Sequence, residues 1–352
     1  VEKLVAGIVV LSDTHFSNRK QFGKTLTNPV WKGCNSRFHE IAYAVQRAFK
    51  YALDNDCEAI VIPGDIFHER GFIQVPVYNA VYEIFDQIAN QSKVRLIIMP
   101  GNHDMVDAKA LGGSDGLHSL FAMNNMTLVI EKPTWIPLNS FDLFSVPYDS
   151  TPKFKKADEA RPRRKLVSLL FLHQSIEGAE TGPTNWRMPH ELKVSELEDL
   201  GYDLVISGHY HKHQSLSKTV HYCGALLQHD FGERDYVPGW MHVTPDGEWK
   251  HIEDKESPRF VQITTDSKNR LSFLNPKNYN NIIWTGEEPL SQTEENMVVT
   301  NQPIVETRVV RSTIKTTDSI REMITKYVEI RTGQRDASVI NYLVEKYEGV
   351  KK

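Results

Sequence analysis

Ile97-Ile98-Met99-Pro100-Gly101-Asn102-His103-Asp104 is an apolar run that stops on a glycine and then presents an amide, an imidazole and a carboxylate. The run is too short for a helix and is bounded by turn residues, so it reads as a buried strand. Four other runs end in the same manner. Residues 4–11 lead to Asp13-Thr14-His15, 59–62 to Gly64-Asp65, 166–172 to His173, and 204–206 to Gly208-His209-Tyr210-His211. Between the first two runs, Phe38, Ile41, Ala42, Val45, Phe49, Ala52 and Leu53 recur at helical spacing. Between the next two, Val77, Val81, Ile84, Phe85 and Ile88 do the same, with Pro76 near the helix start. Strands separated by such helices indicate an α/β fold with a largely parallel core.

In an open α/β sheet, sites form just beyond the carboxyl ends of the strands. Asp13, His15, Asp65, Asn102, His173, His209 and His211 are therefore expected around one crevice. Carboxylates, an amide oxygen and imidazoles, with no thiolate, are too many ligands for one tetrahedral zinc ion. The mixture suits two octahedral-type divalent ions, Mn²⁺ ahead of Mg²⁺ because of the imidazoles. Two such ions about 3.5–4 Å apart clamp a phosphoryl group and generate the attacking hydroxide. Asp65 is the natural bridge. Asp13, His15 and His211 are assigned to one ion, and Asn102, His173 and His209 to the other. His103 follows a ligand without being one; its expected role is to stabilise the transition state or protonate the leaving oxygen. Asp104 is expected to orient that ring. His39, His118, His190, His221, His229, His242 and His251 get an ordinary structural reading, and a role for His213 near the site stays open.

Asp13-x-His15, Gly64-Asp65, Gly101-Asn102-His103-Asp104, His173 and Gly208-His209-x-His211 together resemble the calcineurin-like metallophosphoesterase superfamily, over roughly residues 4–255. Ser12-Asp13-Thr14-His15, Gly64-Asp65-Ile66-Phe67-His68 and Gly208-His209-Tyr210-His211-Lys212 look like the SbcD-type nuclease subunit of double-strand-break repair complexes. So do residues 222–228 followed by Phe231-Gly232-Glu233. Where that family often has Pro-Gly-Ser, this chain has Cys223-Gly224-Ala225, and His213 stands where Pro is common; neither departure touches a ligand. The resemblance implies a four-layer αββα sandwich, metal-dependent DNA cleavage, exonucleolytic and also endonucleolytic, and a DNA-facing cap domain. It also implies an SbcC-type ABC ATPase partner, homodimerisation, and a role for His68 in exonuclease action.

The chain has 352 residues, which at about 150 per domain suggests two. The expected division is a nuclease domain over 1–256 and a smaller C-terminal α+β cap over 257–352. In the cap, strands are expected at 260–263 and 303–310, helices near 317–331 and 337–347, and a loop or mobile insertion over the Asn-rich 275–300. Lys and Arg total 41 against 45 Asp and Glu, so there is no global basic field and DNA must be met by a local patch. One candidate patch is Lys153, Lys155, Lys156, Arg161, Arg163, Arg164 and Lys165, which reads equally as a solvated loop. Arg19, Lys20, Lys24 and Lys32 are second candidates, with Phe16, Phe22 and Trp31 available either to stack on bases or to pack. Cys34, Cys57 and Cys223 are expected to be free thiols in a reducing cytoplasm. No apolar run approaches the ~20 residues of a membrane span, and no secretory signal is read at the start.

Competing motifs fail on context. Gly112-Gly113-Ser114-Asp115-Gly116 has the spacing of a nucleophile elbow but lacks an apolar strand before it. Gly23-Lys24-Thr25 resembles the end of a phosphate-binding loop, but Asn18 stands where the first glycine is needed. The remaining alternatives are a nucleotide or small-molecule phosphodiesterase, a protein phosphatase, and a non-catalytic scaffold; the full ligand set argues against the last.

Overall fold

Strand β1 (Ile8–Val10) sends Ile8 and Val10 to one side and Val9 to the other, and all three are buried. A strand buried on both faces must lie between two layers. The same division holds for β2 (Ala59–Pro63) and β3 (Arg95–Met99). Val61, Ile97 and Met99 face the way of Ile8 and Val10, while Ile60, Ile62, Leu96 and Ile98 face the way of Val9. Helices α1 (Ser36–Asp54) and α2 (Val75–Gln91) cover the second face through Phe38, Ile41, Val45, Phe49, Val81, Ile84 and Phe85. Each such side chain contributes on the order of 1.5–3 kcal/mol. Asn35 caps α1, its side chain accepting the Phe38 N–H at 3.0 Å.

The computed structural model describes residues 7–91, 93–106, 127–148, 161–162, 165–182, 186–187, 192–286, 288–291, 296–301, 319–332 and 335–349. Three short strands absent from the sequence reading follow β3: β4 (Thr127–Val129), β5 (Thr134–Pro137) and β6 (Phe141–Ser145). Then come β7 (Val167–His173), β8 (Glu180–Thr181), β9 (Trp186–Arg187), α3 (Val194–Glu198), β10 (Leu204–Gly208), β11 (Gln214–Ser215), β12 (Val220–Tyr222), β13 (Gly239–Val243) and β14 (Trp249–Glu253). One six-stranded sheet runs β14-β13-β1-β2-β3-β4 and the other β11-β12-β10-β7-β6-β5. Within each the central strands are parallel, from β1 to β4 and from β6 through β7 and β10 to β12. The sheets face each other across Ile8, Val61, Ile97, Leu143, Phe171, Ile206 and Met241. Leu197 of α3, with Ile176 and Leu192, covers the outer face of the second sheet at Leu170, Val205 and Tyr222. This is the expected four-layer α/β arrangement.

The chain divides into two compact units, Val1–Gln262 with Asn275–Asn280, and Ile263–Leu274 with Asn281–Lys352. Strands β15 (Phe260–Thr265), β16 (Tyr279–Trp284) and β17 (Met297–Asn301) form a three-stranded sheet. The second unit has its own core at Ile282, Trp284 and Met297, beside the short helix α4 (Lys268–Leu271). The segment expected as a loop over 275–300 thus contains strand at 279–284 and 297–300. Its asparagines hid this: Asn280 is buried, and its amide donates to the carbonyls of Asn275 and Asn278 at 3.3 and 3.0 Å. Helices α5 (Ile320–Thr332) and α6 (Ala337–Gly349) bury Val328, Ile340 and Val344 together.

Several expectations fall outside the described residues: the Gly112–Gly116 motif, the strand at 303–310, His118, His190, and all of the basic stretch except Arg161 and Lys165. Arg161 holds structure rather than phosphate. Its guanidinium donates to the carbonyls of Leu200 and Gly201 and to Ser168 Oγ, and lies 4.5 Å from the centre of the Tyr202 ring. The three cysteines are free and buried.

Candidate metal centre

Parallel strands β1, β2, β3, β7 and β10 bring their carboxyl ends to one edge, and all seven expected ligands meet there. The loops after β1 and β2 run side by side, with Asp13 N–H donating to Gly64 O, His15 N–H to Asp65 O and Phe16 N–H to Ile66 O at 3.3, 3.0 and 2.7 Å. Four of the seven sit in the left-handed region: Asp13 (φ 52°), His15 (49°), Asp65 (55°) and His209 (90°). Each such residue costs on the order of 1–3 kcal/mol and persists only where its surroundings fix it, which is a pattern of functional sites. Gly64 (φ 97°) precedes Asp65, and a β-carbon there would lie 2.2 Å from His173 Nδ1.

Asp65 lies between two groups of ligands. Its Oδ2 is 3.6 Å from His15 Nε2, and its Oδ1 is 3.3 Å from His173 Nε2. Asn102 Oδ1 is 3.1 Å from His173 Nε2 and 3.0 Å from His209 Nδ1. On the other side, His15 Nε2 is 3.0 Å from His211 Nε2, which is 4.0 Å from Asp13 Oδ1. Donor atoms of Asp13, His15 and Asp65 lie within 4.8 Å of one another, and so do those of Asp65, His173 and His209. Asp65 belongs to both sets, as a bridging carboxylate must. His15 Nδ1 is buried without a hydrogen-bond partner, and the donor set is oxygen and imidazole throughout. These residues fit two divalent cations.

Electrostatics separates the imidazoles. Burial pulls both His173 and His211 down, but carboxylates overrule it. Asp65 lifts His173 to about 9, and Glu233 lifts His211 to about 10. Burial pushes Glu233 up, yet His211 outweighs it and holds the carboxyl at about 2. Burial drops His209 to about 3 and His15 well below its usual value. Asp13 is raised by burial.

The flanking residues differ in part from expectation. His103 lies beside the cluster, its ring centre 4.8 Å from that of His15. Its Nδ1 is 2.5 Å from the His68 carbonyl oxygen, so Nδ1 carries the proton and Nε2 is left to exchange one. Asp104 does not touch that ring. Its carboxylate accepts the N–H groups of Phe67, Gly101 and Ile66 at 2.8, 2.9 and 3.2 Å, tying the loop after β3 to the loop after β2. A short side chain, three residues from Gly101, reaches the loop that carries Asp65 more readily than the ring beside it. His68 Nε2 accepts from Arg19 Nη1 at 2.7 Å.

Two site residues were not legible. Glu233 Oε1 accepts from His211 Nδ1 at 2.5 Å, and its Oε2 accepts the His229 N–H at 2.7 Å. His229, given the ordinary reading, has its ring 5.0 Å from His15 and its Nε2 2.9 Å from Asp13 O, and burial holds it near about 3. The only sequence signal for Glu233 was its place in the Phe231-Gly232-Glu233 stretch. His213 lies away from the cluster, stacked on His251 at 4.1 Å with Nδ1 on the Tyr222 carbonyl. The ligands open into a cleft of ≈ 220 Å³ walled by Arg19, Phe22, Arg37, His68 and Glu233. Arg37, almost fully buried, pairs with Glu40 at 2.6 Å and donates to the Gln228 carbonyl.

A family model for calcineurin-like phosphoesterases matches residues 7–213, more than half of the chain. A protein provisionally named phosphoesterase 244L, of Invertebrate iridescent virus 6, is 28% identical over 186 residues, which are 52% of this chain and 63% of the relative. One provisionally named phosphoesterase 078R, of Invertebrate iridescent virus 3, is 24% identical over 220 residues, 58% of this chain and 57% of the relative. The chain thus spans less than two thirds of the length of either relative. Among solved structures, the nuclease MPE of Pseudomonas putida is similar at 18% identity and a TM-score of 0.27, over 52% of this chain and 67% of that one. A dimetal phosphatase of Danio rerio is similar at 10% identity and a TM-score of 0.36, over 62% and 86%.

Proposed function

The chain belongs to the calcineurin-like phosphoesterase family, and we propose that the phosphoester it hydrolyses is the DNA backbone, with Mn²⁺ ahead of Mg²⁺ as its metal. One observation carries this reading beyond the family. Outside the seven ligands, the cleft wall holds a linked set of Arg19, His68 and His103. A DNA strand brings a neighbouring phosphate that needs a cation and a poor alkoxide leaving group that needs a proton, and this set supplies both.

Two bound divalent ions would polarise the phosphoryl group and activate the attacking water. The protein's own residues do the rest. Asp65 and Asn102 are spaced by the Asp104 ties, so the ligand groups cannot drift apart. In its doubly protonated form His103, oriented by the His68 carbonyl, gives the Nε2 proton to the departing oxygen and is left as the Nδ1–H tautomer. Arg19 donates to the His68 ring at Nε2, and the His68 backbone carbonyl holds His103 at Nδ1.

The same reading extends to partners. An SbcC-type ABC ATPase is proposed because duplex ends are stacked and unstacking costs a few kcal/mol per step. The only stretch here like a phosphate-binding loop, Gly23-Lys24-Thr25, lacks its first glycine. Homodimerisation follows the same resemblance, and a cytoplasmic site of action follows from the three free thiols. Among the described residues no helix is long and apolar enough to cross a membrane.

The test is incubation with end-labelled linear duplex, circular single-stranded DNA and a chromogenic bis-phosphodiester, each with Mn²⁺ or Mg²⁺. Release of nucleotides from the end, or nicking of the circle, is expected. Hydrolysis of the chromogenic ester alone would assign the chain to small substrates.

A further inference from the structure

We propose that the turn at residues 19–23 is a nucleotide-reading subsite, in which Phe22 stacks on a base and Arg19 binds the phosphate next to the scissile one. The proposal rests on the DNA reading of the cleft. Phe22 has φ 63°, a left-handed conformation that is an outlier for a bulky side chain. Such a conformation survives only where neighbours impose it. Here they do so from three directions. Gly23 N–H donates to the Lys20 carbonyl at 3.2 Å, Asn35 Nδ2 to the Arg19 carbonyl at 2.7 Å, and Tyr279 Oη to the Phe22 carbonyl at 3.0 Å. Gly23 is required by the same closeness, since a β-carbon there would lie 2.6 Å from the Arg19 carbonyl oxygen.

The pinned turn aims its side chains into the cleft. Phe22 and Arg19 both line it, beside His15, His68 and His211. The Phe22 ring rests edge-on against Phe260 (4.8 Å, 75°), Tyr279 (5.4 Å, 61°) and Phe231 (5.8 Å, 72°), so its plane is fixed. Core filling does not account for this. Phe16 and Trp31, the other aromatics of the segment, are 0% and 5% exposed, whereas Phe22 is only half-buried. Arg19 is exposed and donates from Nη1 to His68 and from Nη2 to Gln21 Oε1 at 3.1 Å. A guanidinium has more N–H donors than these contacts use, in a fork that matches phosphate. A cation and a held aromatic on one turn, over a phosphoester-cleaving centre, are the parts that single-stranded nucleic-acid sites combine.

The experiment is fluorescence anisotropy in EDTA, so that nothing is cut, on the full chain. The probes are a labelled single-stranded oligonucleotide and an abasic strand of equal length. Wild type is expected to bind the base-bearing strand about tenfold or more tighter than the abasic one. Phe22→Ala and Phe22→Leu should bring that ratio close to one, and Phe22→Trp should restore it. Phe22→Leu keeps apolar bulk, so its result stands if Phe22→Ala fails to fold. Arg19→Gln should weaken both strands and reduce the salt dependence of binding by about 0.7 in slope. Equal wild-type affinity for the two strands overturns the subsite and leaves the nuclease reading intact. So does a ratio that neither Phe22→Ala nor Phe22→Leu changes. Failure to bind or cut either strand, with hydrolysis of a small phosphodiester retained, removes the DNA reading itself and the subsite with it.

Discussion

His103 and Glu233 both stand against the metal ligands, but they act at different points. The His103 ring is fixed at Nδ1 by the His68 carbonyl. His103→Gln is therefore expected to lower kcat by roughly 10²–10⁴-fold while both metals stay bound. Loss of one metal by elemental analysis would make His103 a ligand. Glu233 acts through His211, whose tautomer it sets. Glu233→Gln should weaken metal binding about 10–100-fold, with activity recovered by excess Mn²⁺. The pair also carries a pH signature in the metal-free protein. His211 is raised to about 10, so its contribution to stability is complete below its ordinary 6.5 and is lost as pH rises through 10. Glu233 is lowered to about 2, so its contribution is complete above its ordinary 4.5 and is lost as pH falls through 2. In chelator, the Tm gap between wild type and Glu233→Gln should be widest at pH 4.5–6.5 and shrink towards pH 10; a gap that grows with pH contradicts the pairing. The clustering of the seven candidate ligands was legible because they follow apolar runs and strand polarity carries them to one edge. Glu233 and His229 were not, because a turn after β12 brings them back to the site and no local spacing records it. Asp104 was legible as a residue but not in its contacts, since two loops compete for its carboxylate.

At the scale of elements, continuous apolar runs marked the central strands, and structure added little beyond their ends. What escaped were strands with mixed texture. β5 carries Pro137 and half-exposed residues because it is an edge strand, and β16 hides its apolar Ile282 and Trp284 behind two asparagines. β13 lies inside the sheet, antiparallel to β1, because β14 covers its far side. Helix α1 shows how an element end serves the site. Asn35 accepts the Phe38 N–H with its oxygen and donates its amide to the Arg19 carbonyl. Asn35→Ala should cost about 0.5–2 kcal/mol as a lost cap. The expected readout is a lower urea midpoint with an unchanged slope. It should also loosen the Arg19 turn and weaken oligonucleotide binding, which an isolated cap would not do; a midpoint shift with full binding would confine Asn35 to the helix.

At the scale of the whole chain, the charge balance of -4 offers no general attraction to DNA, so the proposed DNA binding would have to be concentrated at the cleft and in what the proposed partner adds. The C-terminal hairpin is the part best suited to be separable. Val328, Ile340 and Val344 are buried with Ile324 and Leu343 in a cluster of their own, apart from the core of Ile282, Trp284 and Met297. The hairpin still exposes Tyr327 (50%), Val339 (39%) and Tyr342 (59%), side chains of the type that partner helices cover. The candidate metal ligands all lie within residues 13–211, so the proposed chemistry asks nothing of the hairpin's sequence. With the cognate ATPase and ATP, the full chain is expected to cut blunt duplex faster than alone, whereas single-stranded DNA is cut without help. A chain ended near residue 315 should keep both metals and its rate on a small phosphodiester, and lose the stimulation on duplex. Equal stimulation of the shortened and full chains would move the partner surface onto the metallophosphoesterase unit. Loss of metal on truncation would mean instead that the hairpin supports the fold of the centre, and the separation argued from its independent core would fail.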